Sequence, residues 1–135
     1  MQIEISLNDN ITTEEVIELY QANGWSSAEK PFQLMNGLRN SHTLVTARHS
    51  GKLVGLGNAI SDGHLVVYYP HMLVHPLQHR QGIGRLMMEK LLEKYSSFHQ
   101  QMLTADGDAI EFYKRMGFKR AGRTVPMWIY AGSEH

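Results

Sequence analysis

The stretch Val74-His75-Pro76-Leu77-Gln78-His79-Arg80-Gln81-Gly82-Ile83-Gly84-Arg85-Leu86-Met87 decides how the chain is read. It leaves a β-prone run, passes two glycines and enters an amphipathic pattern with Ile83, Leu86, Met87, Leu91 and Tyr95 apolar. A strand, a glycine loop and a helix in that order can hold an anion, because the first helical turn has unpaired N–H groups and a partial positive charge. Glycine lets that backbone approach an oxyanion without a Cβ in the way. Arg80 and Arg85 add charge beside it. A tight turn would use the same residues, so the loop alone leaves both readings open. Two nucleotide signatures are excluded. A Walker loop needs Gly-Lys-Ser/Thr after the second glycine, and Gly84 is followed by Arg85-Leu86. A dinucleotide fingerprint needs a third glycine, and position 87 is Met.

Upstream, Ile3, Ile5 and Leu7 alternate with polar residues and predict a strand. Thr12-Thr13-Glu14-Glu15 is a helix start, a hydroxyl cap followed by acids, and Asn23-Gly24 is its stop. A second helix is expected from Pro31 to about Leu38. Leu44 to His49 and Lys52 to Ile60 flank Ser50-Gly51 as a hairpin. Gly55 and Gly57 weaken its second strand and mark a bulge or a close approach of another group. Leu65 to His75 is β-prone but contains Pro70, which cannot donate to a ladder, so the strand must break or bulge there. Downstream, Gln100 to Thr104 predicts a strand, and Ala109, Phe112, Tyr113 and Met116 share a helical face that ends at Gly117. Phe118-Lys119 and Met127 to Tyr130 are expected to be closing strands. The order β-α-α-β-β-β-α-β-α-β predicts an α/β (α+β) fold, a mixed sheet covered by helices, as one domain over residues 1–135. The polar tail Gly132-Ser133-Glu134-His135 is expected to fray.

Composition narrows the function. The 13 basic and 13 acidic residues balance, which gives no reason to expect nucleic acid or an anionic membrane as the main partner. There are no cysteines, which excludes disulfides, thiolate nucleophiles and thiolate metal sites. The opening residues lack the basic start and apolar core of a signal peptide, and no apolar run is long enough for a membrane helix. A cytoplasmic location is the expectation. The histidines do not predict a metal site: His71 and His75 on one strand would stand about 13 Å apart, too far to share one zinc.

The quoted stretch resembles the acyl-CoA motif of the GNAT-type N-acetyltransferases, Gln/Arg-x-x-Gly-x-Gly/Ala between a strand and a helix. Further on, Ala109-Ile110-Glu111-Phe112-Tyr113-Lys114-Arg115-Met116-Gly117-Phe118 resembles the family's second motif, Phe-Tyr-x-x-x-Gly-Phe. The two in this order are far more specific than either alone, and the resemblance covers nearly the whole chain. Leu53-Val54-Gly55 to Ser61-Asp62-Gly63 is reminiscent of a subgroup with plastid and bacterial amine or lysine acetyltransferases. Position 79 is His where the family prefers Gln or Arg, and position 106 is Asp where many members carry Asn.

The resemblance implies a mostly antiparallel sheet with splayed central strands and acetyl-CoA as co-substrate, with no metal. It implies that His79, Arg80, Gln81, Gly82, Ile83, Gly84 and Arg85 cradle the pyrophosphate. It further implies that Met72, Leu73 and Val74 offer main-chain groups to the pantetheine arm, with Phe112 beside them. Direct transfer of acetyl to a primary amine of a small molecule or peptide follows, with Tyr113 as the acid for the departing thiolate. On periodicity alone Tyr113 reads as a core residue of the Ala109-Phe112-Met116 stripe. The base is His71, Tyr68, Tyr69 or water, and a histidine has the suitable pKa at neutral pH. Trp25, Phe32 and Tyr69 are candidates to wall the acceptor pocket, although Trp25 and Phe32 could equally cap the core. A homodimer is compatible with the resemblance. The competing reading is a GNAT-like domain that binds acyl-CoA without turnover.

Overall fold

Ser50 and Gly51 both adopt positive φ, 51° and 81°, in the two-residue turn of a hairpin between β2 (Thr43–His49) and β3 (Lys52–Ser61). This hairpin is the middle of the sheet. The computed structural model describes residues 2–133, so Met1 and the tail residues Glu134 and His135 lie outside the described residues. β1 (Ile3–Leu7) lies antiparallel on β2. On its other side β3 carries two short strands, β4 (Val66–Tyr68) at its far end and β5 (Met72–Val74) at its middle. β6 (Gln100–Met102) runs parallel to β4 and completes a mixed, mostly antiparallel sheet.

α1 (Thr13–Ala22) starts with a capping box, in which the Thr12 side chain accepts from Glu15 N–H and the Glu15 carboxylate accepts from Thr12 N–H. α2 (Pro31–Arg39) begins with proline, which needs no hydrogen-bond acceptor there. Both helices cover one face of the sheet. Val16, Leu19, Tyr20, Leu34, Met35 and Leu38 pack on Leu44, Leu53, Leu56 and Leu73. α3 (Ile83–Lys94) covers the other face, where Ile83, Met87, Met88 and Leu91 meet Val45, Ala47, Val54 and Val67. α4 (Ala109–Arg115) is short and flanks the α3 side.

The two glycines of β3 have the cause read from the sequence. The register slips between Ala47 and Arg48, a bulge. A Cβ on Gly55 would lie 2.9 Å from the Met87 methyl, and one on Gly57 would lie 2.7 Å from the Met72 methyl. α3 and β5 therefore close tightly onto β3. Pro70 also acts as expected, ending β4 before β5 begins. Two expectations fail. Phe118-Lys119 and Met127 to Tyr130 form no strands. Their β-propensity is real, but a strand needs a ladder, and among the described residues neither segment pairs with a neighbour. The chain after α4 is held instead by turns, with Gly122 N–H on Arg120 O and Thr124 N–H on Ala121 O.

One charged cluster fixes the β1–α1 connection. The Arg48 guanidinium bonds Asp9 at 2.9 Å and both Glu15 oxygens at 2.8 and 3.1 Å. It also donates to the carbonyls of Asn10 and Gly51. Hydrogen bonding from Arg48 holds the Asp9 and Glu15 carboxyls below their ordinary range. A depressed folded pKa gives stability that is complete above the ordinary carboxylate range of about 4 and is lost as pH falls below it. Arg48→Met is expected to cost about 1–2 kcal/mol at pH 7, charged hydrogen bonds discounted for partial exposure. Thermal denaturation against pH checks this: the wild-type Tm should fall more steeply than the variant's between about pH 5 and pH 3.

Candidate functional site

The chain diverges at Pro70. β6 follows β4 as far as the Tyr68–Met102 pair, and Tyr69 N–H still reaches Met102 O at 3.0 Å. Beyond that point β5 pairs only with β3 among the described residues. The edge of β5 away from β3 is left with unpaired backbone groups, as in any strand with a neighbour on one side. Met72, Leu73 and Val74 lie on this strand. Leu73 is buried in the α1–α2 core, so only its main chain can serve a ligand.

β5 leads into the loop. His75 N–H bonds Val54 O at 2.8 Å, and a 3₁₀ turn over Pro76–Gln78 follows. Arg80 adopts φ 66° and Gly82 φ 80°, and Gly82 is the N-cap of α3. No side chain caps this helix and no acid lies in its first turn, in contrast to α1. The N–H groups of that turn therefore have no side-chain cap and lie at the positive end of a dipole. Arg80 and Arg85 are exposed beside it, with Arg85 3.7 Å from Glu89 one turn on. The Ile83 side chain is buried against the sheet, leaving its N–H to the loop. The His79 side chain has a structural role in the loop. Its Nε2 lies 2.8 Å from Val74 O and donates to it, tying the loop back to β5. Its own N–H points at Pro76 O at 3.4 Å.

The second motif is a helix C-terminus with a defined geometry. Gly117 has φ 102° and donates to Lys114 O, and Phe118 N–H donates to Tyr113 O, each at 3.0 Å. This is a Schellman motif, and the contact it calls for is the Tyr113–Phe118 ring pair at 5.8 Å. The glycine and the final phenylalanine of Phe-Tyr-x-x-x-Gly-Phe thus hold Tyr113 in place. Phe112 turns to the other motif: a Cβ on Gly84 would meet its ring at 3.5 Å and Val74 at 3.8 Å. The glycine loop, β5 and α4 meet at this point. Tyr113 is half-buried, and desolvation raises its phenol pKa. Asp106 is exposed, and its carbonyl accepts from Ala109 N–H in the turn that opens α4.

His71 sits just before β5, on the α1 side. Its ring packs on Tyr20 at 5.4 Å and on Trp25 at 5.2 Å. Nδ1 is 2.7 Å from the Tyr20 hydroxyl. Burial raises the Tyr20 pKa, so this phenol keeps its proton. In this bond neutral His71 accepts at Nδ1 when its proton is on Nε2 and donates from Nδ1 in the other tautomer. Asn58 clamps the His71 backbone from β3: its side-chain oxygen accepts from His71 N–H and its own N–H donates to His71 O, both at 3.0 Å. Its amide nitrogen donates to Ser41 Oγ at 2.9 Å. Asn58 and Tyr20 were missed in the sequence. A buried asparagine inside the apolar run Leu53 to Ile60 is the available signal for the first; Tyr20 falls in the helical stripe of Val16 and Leu19, which carries no signal of its own.

The remaining candidates separate. Trp25 joins His71, but Phe32 is 81 % exposed and makes no ring contact among the described residues. Tyr69 is buried on the α3 side, where its hydroxyl donates to Gln101 at 2.7 Å and its ring meets Tyr95 and Phe118. Tyr68 is exposed. No group of three histidine or carboxylate side chains able to hold a metal occurs among the described residues, and no helix there is long and apolar enough to cross a membrane.

Comparison with known proteins agrees with this geometry. The acetyltransferase (GNAT) domain family matches residues 8–127. An uncharacterized N-acetyltransferase of Pyropia yezoensis is 27% identical over 123 residues, covering 86% of this chain and 70% of that protein. A GNAT family acetyltransferase from Streptococcus pneumoniae superposes with a TM-score of 0.84 at 29% identity, over 96% of this chain and 99% of its own. A probable acetyltransferase from Staphylococcus aureus gives 0.82 at 26% identity, over 96% and 99%. With both motifs in one place and the family matched along most of its length, the chain belongs to the GNAT acetyltransferases and is an acyltransferase.

Proposed function

We propose that residues 1–135 form one acetyltransferase domain that moves acetyl directly from acetyl-CoA to a primary amine of a small molecule or peptide. The observation that supports this reading is the junction of Gly84, Val74 and Phe112, where the uncapped α3 start, β5 and α4, the helix that carries Tyr113, meet. N–H groups from Gly82 to Arg85 receive the pyrophosphate, with Arg80 and Arg85 beside it, and His79 holds the loop on β5. The main chain of Met72 and the Val74 N–H receive the pantetheine arm as an added strand would, while Val74 O is held by His79. Acetyl-CoA supplies a thioester carbonyl open to attack by an amine.

Tyr113 supplies the leaving proton. As the amine nitrogen bonds to the carbonyl carbon and the carbon–sulfur bond breaks, sulfur takes the phenolic proton. A raised phenol pKa keeps that proton in place at neutral pH, and the same desolvation raises the proton affinity of the departing thiolate. His71 is the group assigned to the proton lost by the amine, with Trp25 as the wall beside it. Proton uptake at Nε2 requires the tautomer in which Nδ1–H donates to the Tyr20 oxygen. Phe32, solvent-facing on α2, can reach only the rim of an acceptor pocket, and Tyr69 supports the site from the α3 side. The protein is assigned to the cytoplasm, with no nucleic acid or membrane partner.

Three outcomes test this. Acetyl-CoA should bind by calorimetry, and Gly82→Ala, which forces a Cβ into φ 80°, should weaken binding several-fold. No heat with the wild type would remove the reading. Tyr113→Phe should lower kcat in a thiol-release assay by about 10²–10³-fold while acetyl-CoA affinity changes little. Full turnover by the variant would remove the acid assignment. His71→Ala should lower kcat/KM and abolish the acidic limb of its pH profile, because a base must be neutral to act. An unchanged profile would assign that proton to water.

A further inference from the structure

Alternation along β3 divides its side chains between two layers. Gly57 and Ala59 face α3: a Cβ on Gly57 would meet Val45, and Ala59 packs in the α3-side core. Leu56, Asn58 and Ile60 therefore face the α1–α2 side. Leu56 is buried there beneath the helices with Leu73, its partner on β5. Asn58 stands opposite His71 and holds its backbone. Ile60 stands opposite Tyr68. Cover from the helix side reaches His71, which meets Tyr20 and Trp25. Beyond His71 the sheet is bare: Ile60 is 54 % exposed and Tyr68 40 %. β4 and β6 extend the same bare face. Val67 is buried on the α3 side, so Val66 points the other way with Tyr68 and is 37 % exposed. Met102, paired with Tyr68, is 38 % exposed.

Single exposed apolar residues are ordinary, but four that adjoin on one sheet face mark a binding surface. This surface begins at the candidate site. Asn58 and Ile60 are two residues apart on one strand, so the step from the His71 pair to the first bare pair is about 6.5 Å. Its chemistry selects the occupant. Ile60, Val66, Tyr68 and Met102 carry no charge at neutral pH. Asp62, in the turn after β3, has Oδ1 turned to the N–H groups of His64, Leu65 and Val66. A charged tail laid over these four side chains would lose water without gaining an ion pair from them. An apolar tail would remove apolar surface from water on both sides.

We propose that this bare face is the floor under the non-reacting body of the acceptor, and that the preferred acceptor is a primary amine on an uncharged, apolar body. The amine nitrogen lies at His71, with Trp25 as the wall, and the body runs over Ile60 and Tyr68 toward Met102. This role rests on the acetyl transfer proposed above, since the floor flanks the place where the amine reacts. Discrimination then comes from the tail end of the acceptor, through the cost of stripping water from a polar or charged group.

Thiol release from acetyl-CoA should be compared for hexylamine, aminopentanol and diaminopentane, which place a methyl, a hydroxyl or an ammonium at the same distance from the reacting nitrogen. Hexylamine should have the highest kcat/KM, by about tenfold over the alcohol and by more over the diamine. Ile60→Glu and Met102→Glu, on two different strands, should each lower the preference for hexylamine over the diamine by about tenfold. The change should fall on KM and not on kcat, because the tail touches no reacting atom. Acetyl-CoA affinity by calorimetry reports that each variant is folded. A wild type that uses the alcohol or the diamine as well as hexylamine would overturn the proposal. So would a preference unchanged in both variants, or no turnover of hexylamine. Acetyl transfer is judged separately: thiol release with any of the three amines supports it whatever their order, and acetyl-CoA that fails to bind the wild type removes both.

Discussion

A peptide chain cannot stay in two ladders when the residue between them has no N–H to give. Pro70 imposes that condition between β4 and β5. Before it, the chain is paired with β3 and β6; after it, among the described residues, β5 is paired with β3 alone. The open edge of β5, the direction in which the chain enters the glycine loop and the place of His71 all descend from this break. β3 tolerates it because Gly55 and Gly57 let Met87 and Met72 lie on its surface, so β5 stays attached without help from a second neighbour. His79 and Asn58 then fix the two ends of the detached segment, the first through Val74 O and the second through the backbone of His71.

The second motif has a mechanical meaning as well as a chemical one. A glycine at positive φ closes α4, the next phenylalanine folds back on Tyr113, and Phe112 faces Gly84. Helix termination and site assembly are one event. An alanine at position 84 would make ordinary contact with Phe112, which accounts for a pattern that accepts glycine or alanine there. Position 82 has no such latitude, since its φ of 80° is poorly tolerated by a side chain.

Much of this was legible in the sequence because it is local. The Thr12 cap, the Ser50-Gly51 turn, the break at Pro70 and the Gly117 stop each depend on a few neighbouring residues whose dihedral or hydrogen-bond needs are fixed by their type. Contacts between distant segments were not legible. His71 was chosen from its place before the loop, yet its partner Tyr20 is 51 positions away on a helix, and Asn58 reaches it from a different strand. The failure at Met127 to Tyr130 has the same root. Residue type says that a segment can be a strand, while only an available edge makes it one, and propensity carries no information about edges.

The central claim is that one anionic ligand is gripped by the first turn of α3 while its extended arm lies along β5. Amide hydrogen exchange with and without acetyl-CoA addresses both halves at once. The account predicts slowed exchange at Gly82–Arg85 and at Met72–Val74, with the α1 core unchanged. Protection confined to other segments, or none at either place with acetyl-CoA bound, would contradict it.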